Sequence, residues 1–189
     1  MKILVVDCCI RGDESRTRKL YERFLETVNE EWTVEILDLN KADLRPLNNA
    51  DINERDMLVK KGETNHPMFR YANAFKEADK IIIAAPYWDL SFPSLLKVYL
   101  EHISVTGVTF GYEGTEAVGY CKAESLLYLS TCGGYIGESH MGADYVKAVA
   151  AMLGIDTFKA FTVEGLDIDP SKAEDILKTG MERMIKETL

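Results

Sequence analysis

"KIIIAAPYWDLSFPSLLKVYLEHISV" (residues 80–105) carries the features that decide the fold. Residues 80–85 form an apolar run with no polar alternation after Lys80, the pattern of a strand covered on both faces in a parallel sheet. Residues 94–105 follow Pro93 and place Leu95, Leu96, Val98, Tyr99, Leu100 and Ile103 in a strongly apolar helix. Between them stands "APYWDLSFP" (85–93). A chain leaving a buried strand usually enters a polar turn rich in Gly, Asn or Asp. Here two large aromatics, Tyr87 and Trp88, and one carboxylate, Asp89, lie between two prolines.

The same strand–helix alternation repeats on either side. "KILVVD" (2–7), "TVEILDL" (33–39), "SLLYLST" (125–131) and "DTFKAFTVE" (156–164) read as strands. Helical patterns occupy residues 15–30, 68–78, 143–153 and 170–189, with Ser15 at an N-cap and Gly154 at a C′ position. Strands alternating with helices specify an α/β fold with a doubly wound parallel sheet. Five strands favour the flavodoxin-like order 2-1-3-4-5, with helices on both faces, over a six-stranded arrangement. The 189 residues then form a single domain. Two segments, 40–66 and 106–119, exceed what the connections need, and loops of that length usually have a task of their own. Helix 94–105 is apolar on more faces than one sheet contact requires, which suggests a partner surface.

With 31 acidic against 22 basic residues the chain carries a net charge of -9. That balance disfavours nucleic acid and anionic membrane as partners. No apolar stretch approaches the roughly 20 residues of a membrane span. The N-terminal "MKILVVDCCIRGDE" reaches charge too soon for a secretory signal, so a cytoplasmic location is expected. Cys8, Cys9, Cys121 and Cys132 lack C-x-x-C spacing, and His66, His102 and His140 are scattered. Reduced, mostly buried thiols and no metal site are therefore expected.

In an open α/β sheet, ligands bind outside the carboxyl ends of the strands where strand order reverses. Three loops meet there: "DCCIRGDESRT" (7–17), "APYWDLSFP" (85–93) and "STCGGYIGESHMG" (130–142). In the first, Ser15 and Thr17 bring hydroxyls to a helix start, and Arg11, Arg16 and Arg18 supply local positive charge, a phosphate-binding composition. In the third, Gly133 and Gly134 expose backbone amides beside Thr131. Neither G-x-x-x-x-G-K-[ST] nor G-x-G-x-x-G is present, so nucleoside triphosphates and the usual dinucleotide site are disfavoured. A planar ring system with a phosphate tail fits the three loops, and FMN is such a molecule.

The motifs "SRT" (15–17), "PYWDLSFPSLLKVYLEHI" (86–103), "GVTFGY" (107–112) and "STCGG" (130–134), in this order and spacing, give the chain a further meaning. It resembles the FMN-dependent NAD(P)H:quinone reductases and azoreductases over about residues 2–165. The resemblance implies that Cys9, Ser15, Arg16 and Thr17 hold the FMN phosphate. It implies that Pro86, Tyr87, Trp88, Asp89 and Leu90 lie along the isoalloxazine, and that Thr131, Cys132, Gly133 and Gly134 reach its pyrimidine end. Cys9 replaces a common serine of the family, and Cys132 a residue that is often basic or polar. A homodimer is implied, as is two-electron ping-pong transfer from NADH or NADPH to a quinone, azo or nitro compound. No side-chain nucleophile is needed. His140 and Tyr135 are candidates for a proton donor or a substrate contact, against the simpler roles of a loop histidine and a packing tyrosine. An electron carrier without a substrate of its own and a non-catalytic binding protein are the alternative functions.

Overall fold

The computed structural model describes residues 1–188; residue 189, the end of the last expected helix, lies outside them. In chain order the elements begin with β1 (Lys2–Asp7), α1 (Arg16–Leu25), β2 (Thr33–Asp38), α2 (Asn49–Lys60), α3 (Arg70–Glu77) and β3 (Lys80–Ala84). They continue with α4 (Ser94–Ile103), β4 (Phe110–Glu113), β5 (Glu116–Gly119), β6 (Ser125–Thr131), α5 (Met141–Met152), β7 (Thr157–Val163) and α6 (Ala173–Thr188). The main sheet has five parallel strands in the order β2-β1-β3-β6-β7, which is the expected 2-1-3-4-5.

The missing alternation in the central strands has its cause in two cores. Leu4, Val6, Ile81, Ile83, Leu126 and Tyr128 pack on one face with Tyr71 and Phe75 of α3, Tyr99 of α4 and Val146 of α5. Ile3, Val5, Ile82, Leu127 and Leu129 pack on the other with Leu20 and Tyr21 of α1 and Leu177 and Met184 of α6. Each such burial is worth about 1.5–3 kcal/mol. A polar residue in the middle of β3 would therefore destabilise one core or the other.

Several boundaries differ from the sequence reading. The 40–66 segment contains α2, whose N-cap Asn48 and residue Asp51 form a reciprocal capping box. This helix has no apolar stripe and buries only Leu58, so periodicity could not reveal it. It is held by Leu58 and Val59 against Phe69, Val105 and Val108, and by a bidentate Arg45–Asp51 pair at 2.5 and 2.6 Å. His102 Nε2 donates to the Arg45 carbonyl at 2.8 Å and ties the segment to α4. The 106–119 segment contains the β4–β5 hairpin. At its end, a Cβ on Gly119 would sit 1.9 Å from Gly154 N, so two backbones touch there and only glycine fits.

Helix α1 stops at Leu25 rather than near residue 30, because Thr27 Oγ1 donates to the Phe24 carbonyl at 2.7 Å and the chain turns. Helix α5 starts at Met141, two residues early, behind a His140 cap. Helix α6 starts at Ala173, after a 3-10 turn at Pro170–Lys172. Helix α4 buries Leu96, Tyr99, Leu100 and Ile103 and half-buries Leu95 and Val98. Its free apolar surface is smaller than the residue count implied. Among the described residues no helix is long and apolar enough to cross a membrane.

Candidate functional site

A cleft of about 180 Å³ opens at the carboxyl ends of the central strands, where the three loops converge. Of the residues expected there, Ser15, Arg16, Pro86, Tyr87, Trp88, Thr131, Cys132 and Gly133 line it. Ile10, Arg11, Glu14, Leu166 and Asp167 complete the lining. Leu166 and Asp167 come from the loop after β7, which the sequence reading left out of the site.

The first loop is built around Asp7, which is fully buried. Its carboxylate accepts from the Cys9 amide at 2.8 Å, from Arg18 Nη2 at 2.5 Å and from Tyr21 Oη at 3.0 Å. Arg18 also reaches Asp13 at 3.1 Å and Asp38 at 3.5 Å. Its charge is thus consumed inside the fold. Ser15 caps α1 by accepting from the Arg18 amide at 3.4 Å. The amides of Arg16 and Thr17 precede the first intrahelical bond and have no protein acceptor among the described residues. Two free amides at the positive end of a helix dipole favour an anion.

Cys9 and Thr17 differ from their expected roles. The Cys9 side chain is wholly buried in the core, with its thiol toward the Ala84 carbonyl. The Thr17 hydroxyl is likewise buried and bonds Thr131 Oγ1 at 2.7 Å. Both side chains fasten the cleft's walls together, and neither is presented to its interior. Burial pushes the Cys8 thiol up to about 12 and raises Cys9 and Cys132 as well. These thiols stay protonated at neutral pH, so the site holds no thiolate nucleophile.

The second loop leaves β3 through a bond from the Tyr87 amide to the Thr131 carbonyl, 2.9 Å. Trp88 and Ser91 then exchange two backbone bonds of 3.1 and 2.8 Å around a tight turn. The turn's two central residues, Asp89 (φ 49°) and Leu90 (φ 67°), both lie in the left-handed region. Glycine or asparagine normally occupies such positions. Leu90 is 65% exposed, and neither residue lines the cleft.

The third loop is zipped to the loop after β7. Gly165, Leu166 and Asp167 donate to the carbonyls of Gly134, Cys132 and Gly133 at 2.8, 3.2 and 2.8 Å. The Asp167 carboxylate lies against the Gly133 Cα, where an added Cβ would come within 2.1 Å of Oδ2. From there it pairs with Arg16 Nη1 at 2.6 Å across the cleft. Gly134 has open space about it and is not part of the lining.

His140 and Tyr135 also part company. Tyr135 is 76% exposed and packs on Gly165. His140 caps α5, with Nδ1 accepting from the Ala143 amide at 3.1 Å, which leaves Nε2–H to donate to Thr162 Oγ1 at 3.2 Å. Its ring meets Tyr87 edge-on at 5.1 Å and Tyr128 at 5.8 Å. Burial lowers its pKa below 6.5, against the opposing pull of Asp144 and Glu164. His140 is thus a cap of α5, favoured in its neutral form, that packs edge-on against Tyr87 and does not line the cleft. The unfolded chain binds this proton more tightly, so the cap's contribution is present above 6.5 and lost as pH falls through the lowered folded value. His140→Ala should cost about 0.5–2 kcal/mol at pH 7.5 by denaturant titration, the range for a lost cap. The gap between variant and wild type should narrow toward pH 5; a constant gap refutes the neutral cap.

A larger cavity, about 400 Å³, opens at the opposite pole between Phe24, Trp32, Lys80 and Lys159. It faces the C-terminal ends of α1 and α6, whose dipoles disfavour an anion, and Lys159 is occupied by the carbonyls of Glu187 and Thr188. The three expected loops frame the smaller cleft and none of them lines this cavity. Among the described residues no group of His, Cys, Asp or Glu is placed to hold a metal ion.

A family model described as the flavodoxin-like fold matches residues 1–187. A protein of Clostridium acetobutylicum named FMN-dependent NADH:quinone oxidoreductase 2 is 37% identical over 178 residues, covering 89% of this chain and 88% of its own. An FMN-dependent NADH:quinone oxidoreductase of Clostridium perfringens is 32% identical, with 97% of this chain and 96% of that protein aligned. The crystal structure of an azoreductase from Bacillus anthracis superposes with a TM-score of 0.85 at 28% identity, covering 98% and 97% of the two chains.

Proposed function

This chain belongs to the family with the flavodoxin-like fold, among its FMN-dependent NADH:quinone oxidoreductases and azoreductases, and on that premise we propose that it is an FMN-dependent enzyme oxidising NADH at the expense of a quinone or azo compound. The observation that carries the reading is the α1 N-terminus opening into the cleft. Its Arg16 amide lacks a protein acceptor among the described residues and lies beside the aromatic wall of Tyr87 and Trp88. FMN has a phosphate for the first feature and a flat ring for the second. The bound flavin would supply the hydride and electron chemistry.

The chain's own residues bind and orient. The α1 amides would take the phosphate, and Tyr87 and Trp88 would cover the ring. The Gly133 amide, which has no acceptor among the described residues, would donate at the ring's polar edge, where negative charge develops on reduction. A Cβ at Gly133 would require the Asp167 carboxylate to move aside. With the backbone amide as donor, no side-chain acid is required. The loops frame one cleft, which supports donor and acceptor occupying it in turn.

A homodimer belongs to the same reading. Leu90, Tyr135 and Met141 are 65, 76 and 58% exposed on the segments around the cleft, which favours a second copy covering them. The purified chain should bind FMN, show a flavin absorption band, and lose that band when NADH is added. Quinone should then restore it with turnover. A chain that takes up no FMN, or whose bound FMN is not reduced by NADH, refutes the assignment.

A further inference from the structure

The three arginines of the first loop have three different surroundings. Arg18 is spent on Asp7, Asp13 and Asp38. Arg16 is spent on Asp167. The Asp167 amide bonds the Gly133 carbonyl at 2.8 Å, and the Asp167 Oδ2 fills the space over Gly133. Arg11 lines the same cleft, is exposed, and has no carboxylate within 4 Å among the described residues. Its neighbour Glu14 donates only a backbone bond to the Arg11 carbonyl, at 3.3 Å.

Charge makes the distinction matter. The charged side chains of the cleft are Arg11, Arg16, Glu14 and Asp167, and their charges cancel. The whole chain stands at -9, so its long-range field opposes an anion. A phosphate entering the cleft gains net charge attraction only from a cation that is not already neutralised. The α1 amides supply dipoles only, and Arg16 shares its charge with an acid one hydrogen bond away.

Resting on the flavin reading above, we propose that Arg11 is the side-chain cation that reads the cofactor's phosphate, and that Arg16 is a positioning residue, half of an ion-pair strap with Asp167. The strap joins the start of α1 to the loop after β7 and so fixes the cleft's width. Arg11 sets preference for a phosphorylated ligand; the strap acts equally on ligands with and without phosphate.

The test compares FMN with riboflavin, which has the same ring and no phosphate. Binding is followed by flavin fluorescence at low and high salt, in wild type, Arg11→Gln, Arg16→Gln and Asp167→Asn. Arg11→Gln should weaken FMN about tenfold or more, the range of a charge-assisted hydrogen bond, with riboflavin unchanged and a shallower salt dependence. Arg16→Gln and Asp167→Asn should move FMN and riboflavin by the same factor, about threefold or less, as expected of an exposed pair. Loss of the FMN preference in Arg16→Gln with its retention in Arg11→Gln overturns the proposal. Inorganic phosphate gives an independent readout of the apo chain, through the melting temperature. If wild type fails to bind FMN, the flavin reading falls; a phosphate stabilisation that vanishes in Arg11→Gln then still supports Arg11. Phosphate stabilisation that persists in Arg11→Gln overturns it, and a wild-type chain stabilised by neither ligand overturns both.

Discussion

Arg18→Ala is expected to destabilise the fold by about 3–5 kcal/mol, the range for removing one partner of a buried ion pair. The cost arises on Asp7, which has no exposed surface and would keep only the Cys9 amide and Tyr21 Oη as donors. Burial, and next the Asp7 charge, raise the Tyr21 phenol well above its usual range, so the tyrosine stays a donor and cannot replace the lost cation. Urea unfolding measures the change. Pairing the substitution with Asp7→Asn should recover part of the loss, because no uncompensated charge is then left inside. Tyr21→Phe alone should cost about 1 kcal/mol. A loss below about 1 kcal/mol in Arg18→Ala, the value of an exposed pair, means that water reaches Asp7 and that the network does not anchor the loop. The consequence extends to binding, since this network fixes the loop that carries Arg11 to Thr17.

The parts of this molecule that sequence reveals are those whose cause is local. Ile81, Ile82 and Ile83 face alternate cores, and an uninterrupted apolar run is the direct trace of that burial. Strand count then orders the sheet, and the sheet's switch point locates the loops. Helix α2 escapes because ion pairing and capping hold it more than an apolar face does. Its signal is the Asn48-to-Asp51 box, which a search for periodicity passes over. Site details escape for a different reason. Arg16 and Asp167 are 151 residues apart, and Thr17 and Thr131 are 114 apart. Each contact depends on two loops arriving together, and neither loop's composition records the other. Cys9 and Thr17 stand at positions where the resemblance puts phosphate contacts, yet the strand and helix geometry turns their side chains inward. Motif position therefore located the loops at the mouth of the cleft and could not fix where each side chain points.

The aromatic turn supports the second large effect. Trp88→Ala should weaken FMN binding about tenfold to a hundredfold, the range for removing one aromatic stacking partner of a flat ring. Trp88 is 40% exposed, so its truncation costs the fold little, and the loss should appear in affinity rather than in melting temperature. The turn beyond it provides a control of opposite sign. Leu90 sits at φ 67°, a conformation costing about 1–2 kcal/mol for a residue with a Cβ, while glycine's extra entropy offsets about 0.5–1 kcal/mol. Leu90→Gly should accordingly stabilise the chain by up to about 1 kcal/mol. That strain is tolerable only because the Trp88–Ser91 bonds on both sides over-determine the turn. If the strained turn exists to hold Trp88 at the cleft, relaxing it should let the indole wander. Leu90→Gly would then gain stability while losing part of its flavin affinity. Equal flavin affinity in wild type, Trp88→Ala and Leu90→Gly would mean that the two aromatics cover something other than the cofactor, and the wall of the site would have to be sought elsewhere.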